Sequence, residues 1–231
     1  MLRALDVALS QLASALRFGS GSRVGALGAR PEKLLELYDF EGCPYCRKVR
    51  EALSILDLGA LIRPCPRGGS RFREELIRRG GKAQLPYLVD PNSGVEMYES
   101  AEITRYLFRR YGDGRVPRAL ALGPLTDLTS MLVSALRPGR GVFYRGARAP
   151  ERALSLYGYE ASPSCRIVRE LLSSLELPYR LHNVAGASPG RAAFVRRSGR
   201  MRLPFLADPN CEIALFGVAE IREHLESTYA L

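Results

Sequence analysis

The chain has 231 residues, 46% of them hydrophobic and 25% charged, with a net charge of +10. That length allows one large domain or two small ones, and the composition is that of a globular chain able to bury a core, which excludes collagen-like, coiled-coil and disordered classes. No apolar run approaches the ~18 residues of a membrane span, and five irregularly spaced cysteines are too few for a disulfide scaffold.

In chain order, Leu2, Leu5, Leu9, Leu12 and Leu16 fall at helical spacing and predict an opening helix. A Gly/Arg-rich loop leads into a short apolar strand, Leu34 to Phe40. The sequence Cys43-Pro44-Tyr45-Cys46 follows, then a helix with Val49, Leu53 and Leu56 on one face. A strand around Leu61 to Arg63, a basic helix bearing Phe72, Leu76 and Ile77, two strands around Pro86 to Val89 and Val95 to Tyr98, and a helix from Ala101 to about Tyr111 complete the unit. Strands alternating with helices predict an α/β sheet, and the Asp-Pro-Asn-Ser-Gly turn predicts a hairpin at its end.

The same order then recurs. Leu37 to Glu51 and Leu156 to Glu170 are identical at nine of fifteen positions at an offset of 119, and Leu85 to Asn92 matches Leu203 to Asn210 at six of eight, offset 118. Two such matches in the same order mark a duplication. The repeat reaches upstream: Ser14 to Arg17 recurs as Ser134 to Arg137, Gly19 and Gly21 as Gly139 and Gly141, Pro31-Glu32 as Pro150-Glu151. The acid-poor N-terminus resembles a targeting segment in composition, but such a segment has no reason to be copied into the middle of a chain. It is therefore read as a structural helix opening each unit, and the expected location is the cytoplasm. Of the 34 basic residues only Lys33, Lys48 and Lys82 are lysines. The arginines scatter through every segment, without a basic tail or nucleic-acid motif, so they read as a solvated surface rather than a nucleic-acid footprint.

Cys43 sits after a strand and at a helix start, where unpaired N–H groups and the positive end of the helix dipole favour a thiolate. Arg47 and Lys48 add positive charge. Such a position lowers a thiol from about 8.5 toward roughly 3.5–7.5. Cys43 is the more exposed nucleophile, and Cys46, one turn inward, is placed to resolve a mixed disulfide.

In this context the motif resembles the glutaredoxins and the N-terminal, thioredoxin-fold domain of glutathione transferases, strongly over Leu34 to about Gly112 and more loosely over Ala153 to Leu231. The resemblance implies an α/β fold of two tandem thioredoxin-like domains, each preceded by a helix, without the all-helical C-terminal domain of conjugating transferases. The implied division is an opening helix and loop over 1–30, an active domain over 31–112, a linking helix and loop over 113–150 and a degenerate domain over 151–231. Cys-Pro-Tyr-Cys matches the dithiol glutaredoxin site, which makes Cys43 and Cys46 the expected catalytic pair. Leu85-Pro86 matches the cis-proline element, where the Leu85 backbone would bind the cysteinyl part of glutathione. Glu99-Ser100 matches the pair that holds the γ-glutamyl end, at a helix start suited to a carboxylate. Tyr45, Lys82 and Gln84 are the remaining expected glutathione contacts, the last two for the glycyl carboxylate. Taken singly, Pro86 reads equally as a strand-edge proline and Ser100 as an N-cap. Glutathione is the expected cosubstrate, and a disulfide or glutathionylated protein the expected substrate.

The second unit departs from this pattern. Ser162 replaces Cys43 and Gly217-Val218 replaces Glu99-Ser100, while Cys165 and Leu203-Pro204 remain. It reads as a structural or partner-binding copy, the alternative being a transferase-type Ser162. No metal is expected: a lone Cys-X-X-Cys lacks the four ligands of tetrahedral zinc, and His182, His224, Cys65 and Cys211 show no ligand spacing. Iron–sulfur glutaredoxins usually carry glycine where this chain has Pro44. Cys65 reads as structural and Cys211, in a hairpin turn, as incidental. The expected function is a glutathione-dependent thiol–disulfide oxidoreductase that removes glutathione from mixed disulfides, because the segment from Gly112 to Pro150 leaves little wall for a second-substrate pocket; the alternatives are a cysteine-type glutathione transferase and a non-catalytic glutathione-binding or interaction scaffold.

Overall fold

The computed structural model describes residues 8–12, 14, 15, 17, 19–121 and 123–231. In the first unit, β1 (Leu35–Asp39) runs into α1 (Pro44–Ile55), β2 (Ala60–Pro64), α2 (Arg73–Gly80), β3 (Tyr87–Asp90), β4 (Val95–Met97) and α3 (Ser100–Tyr111). Two helices follow, α4 (Arg118–Ala121) and α5 (Pro124–Leu136). The second unit repeats the series as β5 (Leu154–Gly158), α6 (Pro163–Ser174), β6 (Tyr179–Asn183), α7 (Arg191–Ser198), β7 (Phe205–Asp208), β8 (Ile213–Phe216) and α8 (Val218–Tyr229). Residues 8–12, 14 and 15 are helical, as the leucine spacing predicts, whereas Leu2, Leu5 and Leu16 of that stripe lie outside the described residues.

The two units share one sheet, in the order β4-β3-β1-β2-β6-β5-β7-β8. Within each half the first two strands are parallel and the hairpin strands antiparallel. The halves join where β2 pairs antiparallel with β6, and Leu61 lies opposite Arg180, its own counterpart in the repeat. A local two-fold axis therefore passes between these residues. On one face a single apolar core runs across the seam, from Leu35, Leu53 and Ile62 to Leu154, Leu172 and Leu181. On the other face each half keeps its own cluster, Tyr38, Phe72 and Leu76 in one and Tyr157, Phe194 and Phe205 in the other.

The segments that open the units are exchanged. Ser10 Oγ donates to the Pro163 carbonyl at 3.0 Å, Ser14 Oγ to that of Ala161 at 2.8 Å, and Arg166 Nη1 to that of Ser10 at 2.7 Å, so the first helical segment lies on the second unit. Helix α5, which opens the second unit in sequence, packs on α1 of the first. The loops behind them cross in the same way, Arg23 pairing with Gly186 and Arg67 with Phe143.

This exchange corrects the expectation that α1 buries a single apolar stripe. Arg47, Lys48, Arg50 and Glu51 are buried as well as Val49 and Leu53. Around the axis, Arg50 of α1 holds Asp39 at 2.5 Å, Glu41 at 3.2 Å and, across the seam, Glu160 at 3.0 Å. Its counterpart Arg169 holds Glu160 at 2.8 Å and reaches back to Glu41 at 3.0 and 3.1 Å. Two further buried pairs, Arg17 with Glu51 and Arg137 with Glu170, tie the end of each opening segment to the unit it precedes. Buried charges persist only when paired in this way.

Candidate active site

Cys43 is the N-cap of α1, with φ −75° and ψ 121°, and Pro44 occupies the first turn, where its missing N–H costs nothing. Its Sγ accepts the Cys46 N–H at 3.3 Å. A hydrogen bond from the Cys46 side chain is the chief force that brings the Cys43 thiol below its ordinary range. Burial opposes it, while the backbone N–H groups of Cys46 and Tyr45 and the Arg50 guanidinium assist. Arg50, one turn beyond the cations expected from the sequence, thus adds to the positive surroundings of Cys43. Arg47 instead turns to Glu160, 3.9 Å away. Burial drives the Cys46 thiol far up, and its bond to Cys43 pushes the same way. The expected order of exposure holds, but at small values: Cys43 is 4% exposed and Cys46 not at all.

The Cys43 loop is walled by the linking segment. A Cβ at Gly42 would collide with Val142 Cγ2 and stand 3.1 Å from the Arg140 carbonyl oxygen, so only glycine fits there. The register of β1 against β3 sets Tyr87 opposite Tyr38, which brings Leu85-Pro86 beside the end of β1, where the chain turns toward Cys43. The Leu85–Pro86 bond is cis, as the resemblance implies, and so is Leu203–Pro204.

The expected glutathione contacts form a group next to that element. Gln84 Nε2 donates to Glu99, Lys82 Nζ lies 4.6 Å from the Tyr98 ring centroid, and the Tyr98 hydroxyl donates to the Lys82 carbonyl at 2.9 Å. Glu99 is the N-cap of α3 and Ser100 its first residue. Glu99 has φ 69°, a left-handed conformation that costs a non-glycine residue roughly 1–3 kcal/mol. The second unit has Gly217 there, with φ 85°. The first unit thus keeps a carboxylate where the backbone favours glycine. Tyr45 is largely exposed at the rim, whereas Cys65 is fully buried behind β2, where burial drives its thiol up.

In the second unit Ser162 caps α6 as Cys43 caps α1, its Oγ accepting the Cys165 N–H at 3.3 Å. The cap geometry survives without the thiol. Gly158 replaces Asp39, and a Cβ at that position would stand 2.8 Å from Cys165 Sγ.

The fold also brings together three side chains that the sequence leaves apart. Cys211 and His224, thirteen residues apart in sequence, converge with Asp208, and one ligating atom from each lies within 4.8 Å of the others. The spacing concealed this, because the hairpin turn and α8 meet only after folding.

Each half is a thioredoxin-like α/β domain, and the chain carries two in tandem. The family described as glutathione S-transferase, N-terminal domain, matches residues 37–115 and 156–231. The chain belongs to that family, and a glutathione-related redox or transferase-like role comes with it. No curated protein and no solved structure matched the chain. Among the described residues no helix is long and apolar enough to cross a membrane.

Proposed function

We propose that the first unit is a glutathione-dependent thiol–disulfide oxidoreductase acting on glutathione mixed disulfides, with Cys43 as nucleophile. The observation that carries this reading is the Cys43 sulfur at the N-cap of α1, receiving hydrogen bonds from Cys46 and held below the ordinary thiol range. The Cys43 thiolate attacks the glutathione sulfur of the substrate, the S–S bond breaks, and the substrate thiolate leaves and takes a proton from water. A glutathione thiolate then attacks the Cys43–glutathione disulfide, releasing oxidised glutathione and restoring the Cys43 thiolate. Cys46 is the alternative resolving thiol. Its high, burial-driven pKa keeps it protonated, which favours free glutathione because the thiolate is the attacking species. Glu99, Ser100, Gln84, Lys82, Tyr45 and the Leu85-Pro86 element would hold the tripeptide. The recessed sulfur suits a slender peptide better than a bulky disulfide. Five free thiols accord with a reducing compartment, and we place the chain in the cytoplasm.

The test is the pH dependence of iodoacetamide alkylation of the reduced chain, with Cys43→Ser as control and glutathione adducts read by intact mass. The reading requires a fast phase titrating below about 8.5, absent in the variant, together with one glutathione per chain. An ordinary thiol with no adduct would leave a binding scaffold as the better account. Turnover of an aryl halide without disulfide reduction would favour the transferase.

A further inference from the structure

The geometry points to a divalent transition-metal site, of the kind that takes zinc, at the outer edge of the second unit. Its ligands are Asp208 at the end of β7, Cys211 in the turn before β8 and His224 on α8.

The duplication supplies an internal control. The counterparts in the first unit are Asp90, Ser93 and Tyr106, and they already touch: the Tyr106 hydroxyl bonds Asp90 Oδ2 at 2.5 Å and Ser93 Oγ at 2.7 Å. The meeting of these three positions is therefore a property of the fold. Two substitutions distinguish the second unit there, thiol for hydroxyl and imidazole for phenol. Together they convert a hydrogen-bonded knot into one sulfur, one nitrogen and one oxygen donor. A mixed set of this kind suits zinc, whereas calcium and magnesium require oxygen donors.

The surroundings hold the donors in place. Asp208 Oδ1 accepts from the Asn210 N–H at 2.9 Å and from its amide at 2.8 Å, and Oδ2 accepts from the Tyr229 hydroxyl at 2.6 Å. His224 Nε2 lies 2.8 Å from Asp208 Oδ2, so the ring already faces the carboxylate, and Nδ1 lies 3.3 Å from Thr228 Oγ1. A metal on Nε2 leaves the ring proton on Nδ1, facing Thr228, which is the outer-shell bond that orients a ligating histidine. Tetrahedral bonds of about 2.0–2.3 Å set ligands roughly 3.3–3.8 Å apart. The His224–Asp208 hydrogen bond at 2.8 Å therefore opens by about half an ångström to admit the metal. A side-chain rotation of Cys211, exposed in its turn, brings in the third donor, and water fills the fourth position. On binding, the Cys211 thiol releases its proton to solvent.

The experiment strips the full chain with a chelator and titrates it with zinc by calorimetry, with cobalt as an optical probe for thiolate coordination. The variants are Cys211→Ser and His224→Tyr, each installing the first unit's residue, and the double variant Cys43→Ser/Cys46→Ser. One metal per chain is expected in the parent and in the double variant. Cys211→Ser and His224→Tyr should each weaken binding by at least ~10-fold, the lower limit for losing even an outer-shell partner. Cys211 is exposed, so its variant carries the test even if His224→Tyr does not fold. Absence of stoichiometric binding, or binding abolished only in the double variant, would overturn the assignment.

Discussion

Replacing Arg169 with methionine removes a cation that lies within 3.1 Å of Glu41 in one unit and Glu160 in the other. The Tyr159 and Glu160 carbonyls lose a donor, each at 3.2 Å. Glu41 is left with Arg50 at 3.2 Å, and Glu160 with Arg50 at 3.0 Å. Breaking a buried pair by removing one partner costs about 3–5 kcal/mol, because the remaining charge stays buried. At about 2–4 °C per kcal/mol for a chain of this size, the midpoint should fall by roughly 6–20 °C in a calorimetric melt. The acid limb supplies a second reading. Arg169 and Arg50 overcome burial and hold the Glu41 carboxyl at about 2, against 4.5 for the free group. That contribution is present above the unfolded value and is lost as pH falls through the folded one. In Arg169→Met the loss between pH 4.5 and 2 should flatten. A drop below about 1 kcal/mol, the range of an exposed pair, would refute the claim that this network fastens the two halves.

Three further outcomes follow from neighbouring residues. Burial pushes the Asp39 carboxyl up to about 6 from 3.8 despite Arg50, so the native state binds the extra proton and stability falls as pH rises through that window, by about 3 kcal/mol over two units. Urea midpoints for Asp39→Asn should lack this decline between pH 4 and 7, and a parallel decline in the variant would contradict it. Gly42→Ala should cost about 1–3 kcal/mol through overpacking against Val142, and adding Val142→Ala should recover part of it in denaturant titrations. An additive double variant would show that the linking segment does not press on the Cys43 loop. Ser162→Cys, placed at an intact N-cap, should give a second rapidly alkylated thiol by intact mass but no second glutathione adduct, since Gly217-Val218 stands where Glu99-Ser100 would bind it. A second adduct would show that the Glu-Ser pair is dispensable.

The duplication, the order of strands and helices in each half and the candidacy of Cys43 are legible in the residues, because they rest on local periodicity, on turn chemistry and on a motif whose residues are adjacent in the chain. The cis-proline element came from the family resemblance, since Pro86 by itself reads equally as a strand-edge proline. The replacement of the Cys43 thiol by a hydroxyl in the second unit was readable too, by setting Ser162 against Cys43. How the halves combine is visible only in the folded chain. The β2–β6 pairing joins strands more than a hundred residues apart, and the strand pattern is the same whether a neighbouring strand belongs to its own unit or the other. The exchange of opening segments was hidden for the same reason: an amphipathic helix specifies that a face is covered, not by which unit. The arginines read as a solvated surface, and only the seam shows Arg50 and Arg169 enclosed with Glu41 and Glu160. Glu99 showed its backbone cost, and Asp208, Cys211 and His224 their proximity, only once folding fixed dihedral angles and distances that residue spacing does not encode.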